Sequence, residues 1–182
     1  MSADASHPRA SFTAVVREGV ERMCKEFSAR VEPLGFQRTR KMFWTRRREH
    51  TVDFIYLFRK GSSYGGARNA SVWMRVHCSI RILNDDFPGA ALIGPSSDDL
   101  GNPEISASRY HLRFNAQTWS TFDRCINDME RFVKEHGEPW FARFREAQEL
   151  LKMSDTLLSR ARNNCCRRAW MVDRAIPICL PR

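Results

Sequence analysis

Strict alternation along residues 71–83 constrains the fold of this chain more than any other feature. Every second residue of this segment is apolar: Val72, Met74, Val76, Cys78, Ile80 and Ile82. Successive side chains of a β-strand point to opposite faces, so the segment predicts a strand with one packed face and one solvated face. The rest of the chain must therefore supply a layer that covers one side of a sheet.

Further segments with a period of two predict partners for this strand. Residues 109–114 repeat the same design, with apolar side chains at every second position. Residues 37–59 alternate as well and are interrupted at residues 48–50, which predicts a hairpin. The second arm of that hairpin is apolar on both faces. This pattern is typical of a central strand, or of a strand whose second side is also covered.

Apolar stripes at three- and four-residue spacing predict three helices. One stripe covers residues 11–32, a second follows Asn115 and ends at Gly137, and a third begins at Pro139. These stripes need an apolar surface to cover, and the predicted sheet supplies one. We therefore expect an α+β fold, with an antiparallel sheet of about four strands and three helices packed mainly on one face.

Length and charge predict how the chain is divided. A chain of 182 residues is within the usual size of one domain. We expect a flexible N-terminus at 1–10, a single α+β domain at 11–158 and an atypical basic tail at 159–182. Six arginines against one aspartate place more than half of the formal net charge of +9 in that tail. Segment 84–108 has five acidic and no basic residues, and it could fold over a basic sheet face.

The sequence lacks the common catalytic and metal-binding motifs. Its six cysteines form no Cys-x-x-Cys pair, and this spacing predicts reduced thiols in a cytoplasmic protein without a metal site. His77 and Cys78 are strand neighbours that point to opposite faces, so they cannot form a nucleophile–base pair. We expect neither a leader peptide nor a membrane span. We also expect no cofactor, and a binding protein rather than an enzyme.

Several local motifs are similar to those of a known family. The first helix runs into Leu34-Gly35-Phe36-Gln37-Arg38, then Phe43-Trp44-Thr45-Arg46, and the C-terminal part contains Gly137-Glu138-Pro139-Trp140-Phe141. Together they resemble the bacterial domain-of-unknown-function family numbered four thousand three hundred and four, over residues 12–151. The resemblance implies a similar order of elements and carries no catalytic residues. Small bacterial domains of this general kind resemble partner-binding or immunity-type proteins.

The solvated face of the predicted sheet carries the candidate site. Its basic and aromatic side chains are Trp73, Arg75, His77, Arg81, Arg109, His111 and Arg113. They would stand together if the two strands that bear them pair. Arginine beside an aromatic ring is typical of protein-binding hot spots, and also of surfaces that hold single-stranded nucleic acid.

We predict a bacterial, non-enzymatic protein-binding domain, of immunity or accessory type, that uses this basic face against an acidic protein. Three alternatives stay open: a nucleic-acid-binding module, an enzyme of unrecognised type, and a solvated face that binds nothing. Trp73 is the one evident stacking residue on the face, which favours a protein partner over nucleic acid.

Overall fold

The structure is a computed structural model that describes residues 12–60, 69–83, 91–99 and 101–145. The segment 1–10 and the basic tail 159–182, which the sequence sets apart, lie outside the described residues. The acidic pair Asp85 and Asp86 also lies outside them.

The helices and strands form an α+β arrangement, as the sequence predicts. In chain order the elements are α1 (Phe12–Val31), a 3₁₀ turn (Glu32–Leu34), β1 (Gln37–Arg40), β2 (Phe43–Arg47), β3 (Thr51–Lys60), β4 (Ser71–Ile82), β5 (Ala91–Ser96), α2 (Pro103–Ser108), β6 (Arg113–Asn115), α3 (Phe122–Phe132), a π-helical turn (Val133–Gly137) and α4 (Glu138–Ala142).

The strands form one antiparallel sheet in the order β1-β2-β3-β4-β5, with β6 also paired to β4. Strand β3 pairs along its whole length with one edge of β4, from Trp73 to Ile82. Its other edge is shared, because β6 pairs with Ser71–Trp73 and β5 pairs nearer the far end, up to Arg81. The antiparallel sheet is confirmed, although the part of the chain that the structure describes contributes six strands to it rather than about four. One of the additional strands, β5, lies within the segment that the sequence predicts to be a loop.

A helical layer covers one face of the sheet. The stripe of α1 is buried from Val16 to Val31, and the inward side chains of β4 are buried from Val72 to Ile80. Packing here is close: a Cβ added to Gly19 of α1 would lie 2.5 Å from the Cβ of Ala116. The apolar positions of β4 therefore face the helices, as their alternation predicts.

The second predicted helix starts later than expected and does not end at Gly137. The side chain of Asn115 accepts hydrogen bonds from the backbone N–H groups of Gln117 and Thr118, so it closes a turn, and α3 begins only at Phe122. At its other end α3 passes through the π-helical turn directly into α4. Gly137 has helical dihedrals, and the absence of a side chain there lets the backbone approach the sheet, since a hypothetical Cβ would lie 3.1 Å from Cys78 Sγ.

A buried ionic cluster ties the β2–β3 hairpin to the rest of the domain. Asp53 of β3 is fully buried, and it accepts hydrogen bonds from Arg46 Nε at 2.9 Å and Arg48 Nε at 2.6 Å. Arg46 also donates to the carbonyl oxygen of Leu34 at 2.7 Å and pairs with Glu138 of α4 at 2.9 Å. The cluster thus joins the hairpin, the corner before β1 and the last described helix.

Asp53→Ala is expected to lower the free energy of unfolding by about 3–5 kcal/mol, because it leaves two largely buried guanidinium groups without their carboxylate. Urea unfolding followed by circular dichroism measures this change. Glu21→Ala is the matched control, since it removes the carboxylate partner of Arg38 at an exposed site. The control is expected to cost about 1 kcal/mol or less. Equal losses in the two variants would contradict the importance of the buried cluster.

Candidate functional site

The face of the sheet opposite α1 and α3, here called the outer face, carries rows of side chains that cross several strands. Direct partners in the register share a face, so Phe43 of β2, Tyr56 of β3 and His77 of β4 form one row. Phe54 lies in the next row. It is only 9% exposed, yet it is not a member of the core cluster under the helices. The outer face therefore has apolar packing of its own.

Three rings in the central row are stacked on each other. The ring centroids of Phe43 and Tyr56 lie 5.5 Å apart with an interplanar angle of 16°. Those of Tyr56 and His77 lie 4.7 Å apart at 12°. Tyr56 therefore has one ring against each of its two faces, so neither face is open to a further stacking partner.

One end of the outer face combines exposed aromatic rings with cations. This basic-aromatic patch consists of Phe58, Lys60, Trp73, Arg75 and Arg113. Phe58 and Trp73 are 42% and 44% exposed, which is unusual for large apolar side chains. Phe58 is the register partner of Arg75, and Trp73 lies between Lys60 and Arg113. The guanidinium of Arg113 lies 5.1 Å from the centroid of the Trp73 ring, a cation–π contact that covers one ring face.

The structure brings some of the predicted site residues together and separates others. Trp73, Arg75, His77 and Arg81 lie on the outer face of β4, and Arg113 joins them through β6. Arg81 pairs with Val52 at the other end of β4, about 26 Å from Trp73 at the usual rise per strand residue. The charges on this face are therefore divided between its two ends.

The prediction that Arg109 and His111 belong to a strand beside β4 is wrong. Arg109 ends α2 in the left-handed conformation, with φ of 42°. The backbone N–H of His111 donates to the Asp128 carboxylate at 2.7 Å, and its Nε2 is buried. Strand β6 covers only Arg113–Asn115, because Ser97 takes the place beside Val76 that a longer β6 would occupy. These two residues therefore lie outside the pairing that was expected to align them.

Sequence reasoning missed several residues of the outer face. The sequence did not reveal which residues of β2 and β3 lie beside Trp73 and His77, because strand order and register cannot be read from one sequence. These neighbours are Phe43, Tyr56, Phe58 and Lys60. The two-sided apolar pattern of residues 52–58 was the available signal. It was correctly associated with a central strand, but its second face is the outer face.

An acidic residue from the segment before α2 reaches this patch. Asp98 Oδ2 lies 2.7 Å from an Arg75 guanidinium nitrogen, and Asp98 Oδ1 lies 3.9 Å from Lys60 Nζ. The expectation that the acidic segment folds over the basic face therefore holds for Asp98.

The cysteine thiols of the described residues are unsuited to nucleophilic chemistry. Burial raises the pKa of Cys24 to about 11 and that of Cys125 to about 12, and it also raises the pKa of Cys78. Cys78 faces the core, whereas its neighbour His77 is stacked on the outer face. Among the described residues, no group of three or more His, Cys, Asp or Glu side chains could hold a metal ion.

A shallow depression beside β6, of about 370 Å³, is lined by His111 and Arg113 together with hydroxyl and amide side chains. His77 is not part of its lining. This depression therefore does not bring His77 and His111 together.

In the native protein at pH 8, iodoacetamide is expected to leave Cys24, Cys78 and Cys125 unmodified, because a buried thiol with a raised pKa is neither ionised nor accessible. Mass-spectrometric mapping of the labelled peptides checks this expectation. Unfolding in urea supplies the control, in which all three should react. Rapid labelling of Cys78 in the native protein would instead favour the alternative that the protein is an enzyme.

The comparisons with known proteins do not identify a family. No protein-family model matches the chain, and neither a curated protein nor a solved structure shows a significant match. Within the described residues, none of the helices is long and apolar enough to cross a membrane.

Proposed function

We propose that this protein is a non-enzymatic binding domain that uses the outer face of its sheet to hold an acidic protein partner. The basic-aromatic patch is the observation that carries the proposal. It combines two large, exposed aromatic side chains with three cations at one end of the sheet. Aromatic and arginine side chains are the residue types that dominate the energy of protein–protein interfaces.

The orientation of the aromatic rings favours a protein over single-stranded nucleic acid. Nucleobases bind such sheets by stacking on exposed ring faces. Here both faces of Tyr56 are covered by Phe43 and His77, and one face of Trp73 is covered by Arg113. The exposed side chains of Phe58 and Trp73 stand beside guanidinium groups, and this mixture suits the varied surface of a protein better than a row of bases.

The charge of the patch favours an acidic partner. Three of its five residues are cations, and Asp98 is the acidic side chain paired with two of them, Arg75 and Lys60. Opposite charges across an interface steer association and fix its register. The sequence motifs that resemble a bacterial domain-of-unknown-function family add the proposal that the partner relationship is of immunity or accessory type. The neutral, buried thiols suit a cytoplasmic location.

Replacing Trp73 by Ser together with Arg113 by Glu is expected to weaken capture of an acidic partner by at least about thirtyfold. Loss of a hot-spot residue alone costs about 2 kcal/mol or more. The wild-type chain, immobilised, would first retrieve the partner from an extract of its source cell. Calorimetry with the purified partner would then compare the affinities.

Arg17→Glu is the matched control, because it makes the same change in charge on the exposed side of α1, away from the sheet. It is expected to keep nearly full affinity and an unchanged circular dichroism spectrum. Equal binding by the patch variant and wild type would contradict the proposal. So would an equal loss in the control, since binding would then depend only on net charge.

Binding to oligothymidylate tests the nucleic-acid alternative. We expect weak association that falls steeply with salt and is changed little by Trp73→Ser, because phosphate contacts alone would carry it. Fluorescence anisotropy over a range of salt concentrations measures this. Tight binding at physiological salt that requires Trp73 would favour the nucleic-acid-binding module instead.

A further inference from the structure

The carboxylate of Asp98, from the same chain, forms ion pairs with two cations of the basic-aromatic patch. One oxygen lies 2.7 Å from the Arg75 guanidinium, and the other lies 3.9 Å from Lys60 Nζ. Arg75 and Lys60 come from adjacent strands, β4 and β3, so two elements of the sheet converge on one carboxylate. This is the arrangement expected of a small binding site for a carboxylate group.

The backbone that presents Asp98 is held firmly against β4. Ser97 receives a hydrogen bond on its Oγ from the Val76 N–H at 2.9 Å, and its own N–H donates to the Val76 carbonyl oxygen at 2.9 Å. The N–H of Asp99 donates to the Ser96 carbonyl oxygen at 3.0 Å, which closes the turn. Asp98 is thus placed at the patch by main-chain geometry, and only its short side chain needs to rotate to leave the cations.

The contact itself is partly open to solvent. The side chain of Arg75 is 27% exposed and that of Asp98 is 37% exposed. Ion pairs at such positions contribute little, typically about 1 kcal/mol or less. A carboxylate presented by a larger interface can therefore replace Asp98 at small cost, whereas the buried pairs of Asp53 could not be exchanged in this way.

We infer that Arg75 and Lys60 form a carboxylate-binding site, which Asp98 fills in the free protein and which a carboxylate of the acidic partner takes over on binding. This inference rests on the proposed function and specifies that Arg75 and Lys60 bind the partner's negative charge. Asp98 would then act as an internal competitor. It lowers the affinity for carboxylates and disfavours weakly acidic proteins that cannot displace it.

Acetate, the carboxylate group alone, is the probe that tests the site. In protein labelled with ¹⁵N-arginine, the Nε–H signal of Arg75 can be followed, since this atom is buried and its proton is shielded from solvent exchange. The signal is assigned by its loss in Arg75→Lys. Acetate is titrated at constant ionic strength, with chloride as the balancing anion.

Asp98→Asn should produce a saturable acetate-dependent shift of the Arg75 signal, with an affinity about two- to fivefold higher than in wild type. Asp99→Asn is the matched control. It removes the same charge from the neighbouring position, where the side chain caps Gly101 and no contact with Arg75 is present. The control should behave like wild type.

Two results would overturn the inference. One is an equal acetate response in wild type and Asp98→Asn, which would mean that Asp98 does not occupy the site. The other is the absence of a saturable response in every protein, which would mean that Arg75 and Lys60 do not form a carboxylate site. The rest of the spectrum shows whether each variant is folded.

This experiment contains no protein partner, so its outcome is separate from that of the capture experiment. The Trp73→Ser and Arg113→Glu variant leaves Arg75, Lys60 and Asp98 unchanged. If acetate fails to bind while that variant still loses the partner, the outer face binds proteins but the carboxylate site is wrong. If acetate binds and capture is unaffected, the site stands and the proposed use of the aromatic patch fails.

Discussion

The buried carboxylate of Asp53 is the interaction on which the arrangement of the sheet depends. A fully buried charge is tolerated only when it is paired, and here Arg46 and Arg48 supply the pairing from the same hairpin. Arg46 is also the direct register partner of Asp53. A shift of one residue between β2 and β3 would move both charges away from each other and turn every side chain of β2 to the wrong face. The ion pair therefore helps to set the register that places Phe43 beside Tyr56 on the outer face.

The side chains on the two faces of β3 have different surroundings. Ile55 and Leu57 pack under the helices, whereas Phe54, Tyr56 and Phe58 form the apolar part of the outer face. Within this face, exposure rises from the nearly buried Phe54 to the 42% exposed Phe58. Cations flank the aromatic side chains at the exposed end. Exposed apolar area of this kind is a feature that the proposed binding surface requires.

The sequence predicted those parts of the structure that depend on a local period. The alternation of β4 and the stripe of α1 follow directly from residue spacing. The short strand β5 escaped prediction because its six residues contain Gly94 and Pro95, which are typical of loops. Gly94 is required there by tertiary packing, since the ring of Trp140 lies within 2.7 Å of a hypothetical Cβ. The site was predicted only in part, because its residues meet through strand order and register, which a single sequence does not encode.

The stack of Phe43, Tyr56 and His77 has a consequence for spectroscopy. Each ring lies above the face of its neighbour, so the magnetic field induced by its π-electrons shields the neighbour's ring protons. These protons should resonate upfield of their usual positions, and the size of the displacement depends steeply on the separation of the rings. The proton resonances of these rings therefore report on the structure at the centre of the outer face. A ligand that separates the rings, or presses them closer together, would register in these few signals without any added label.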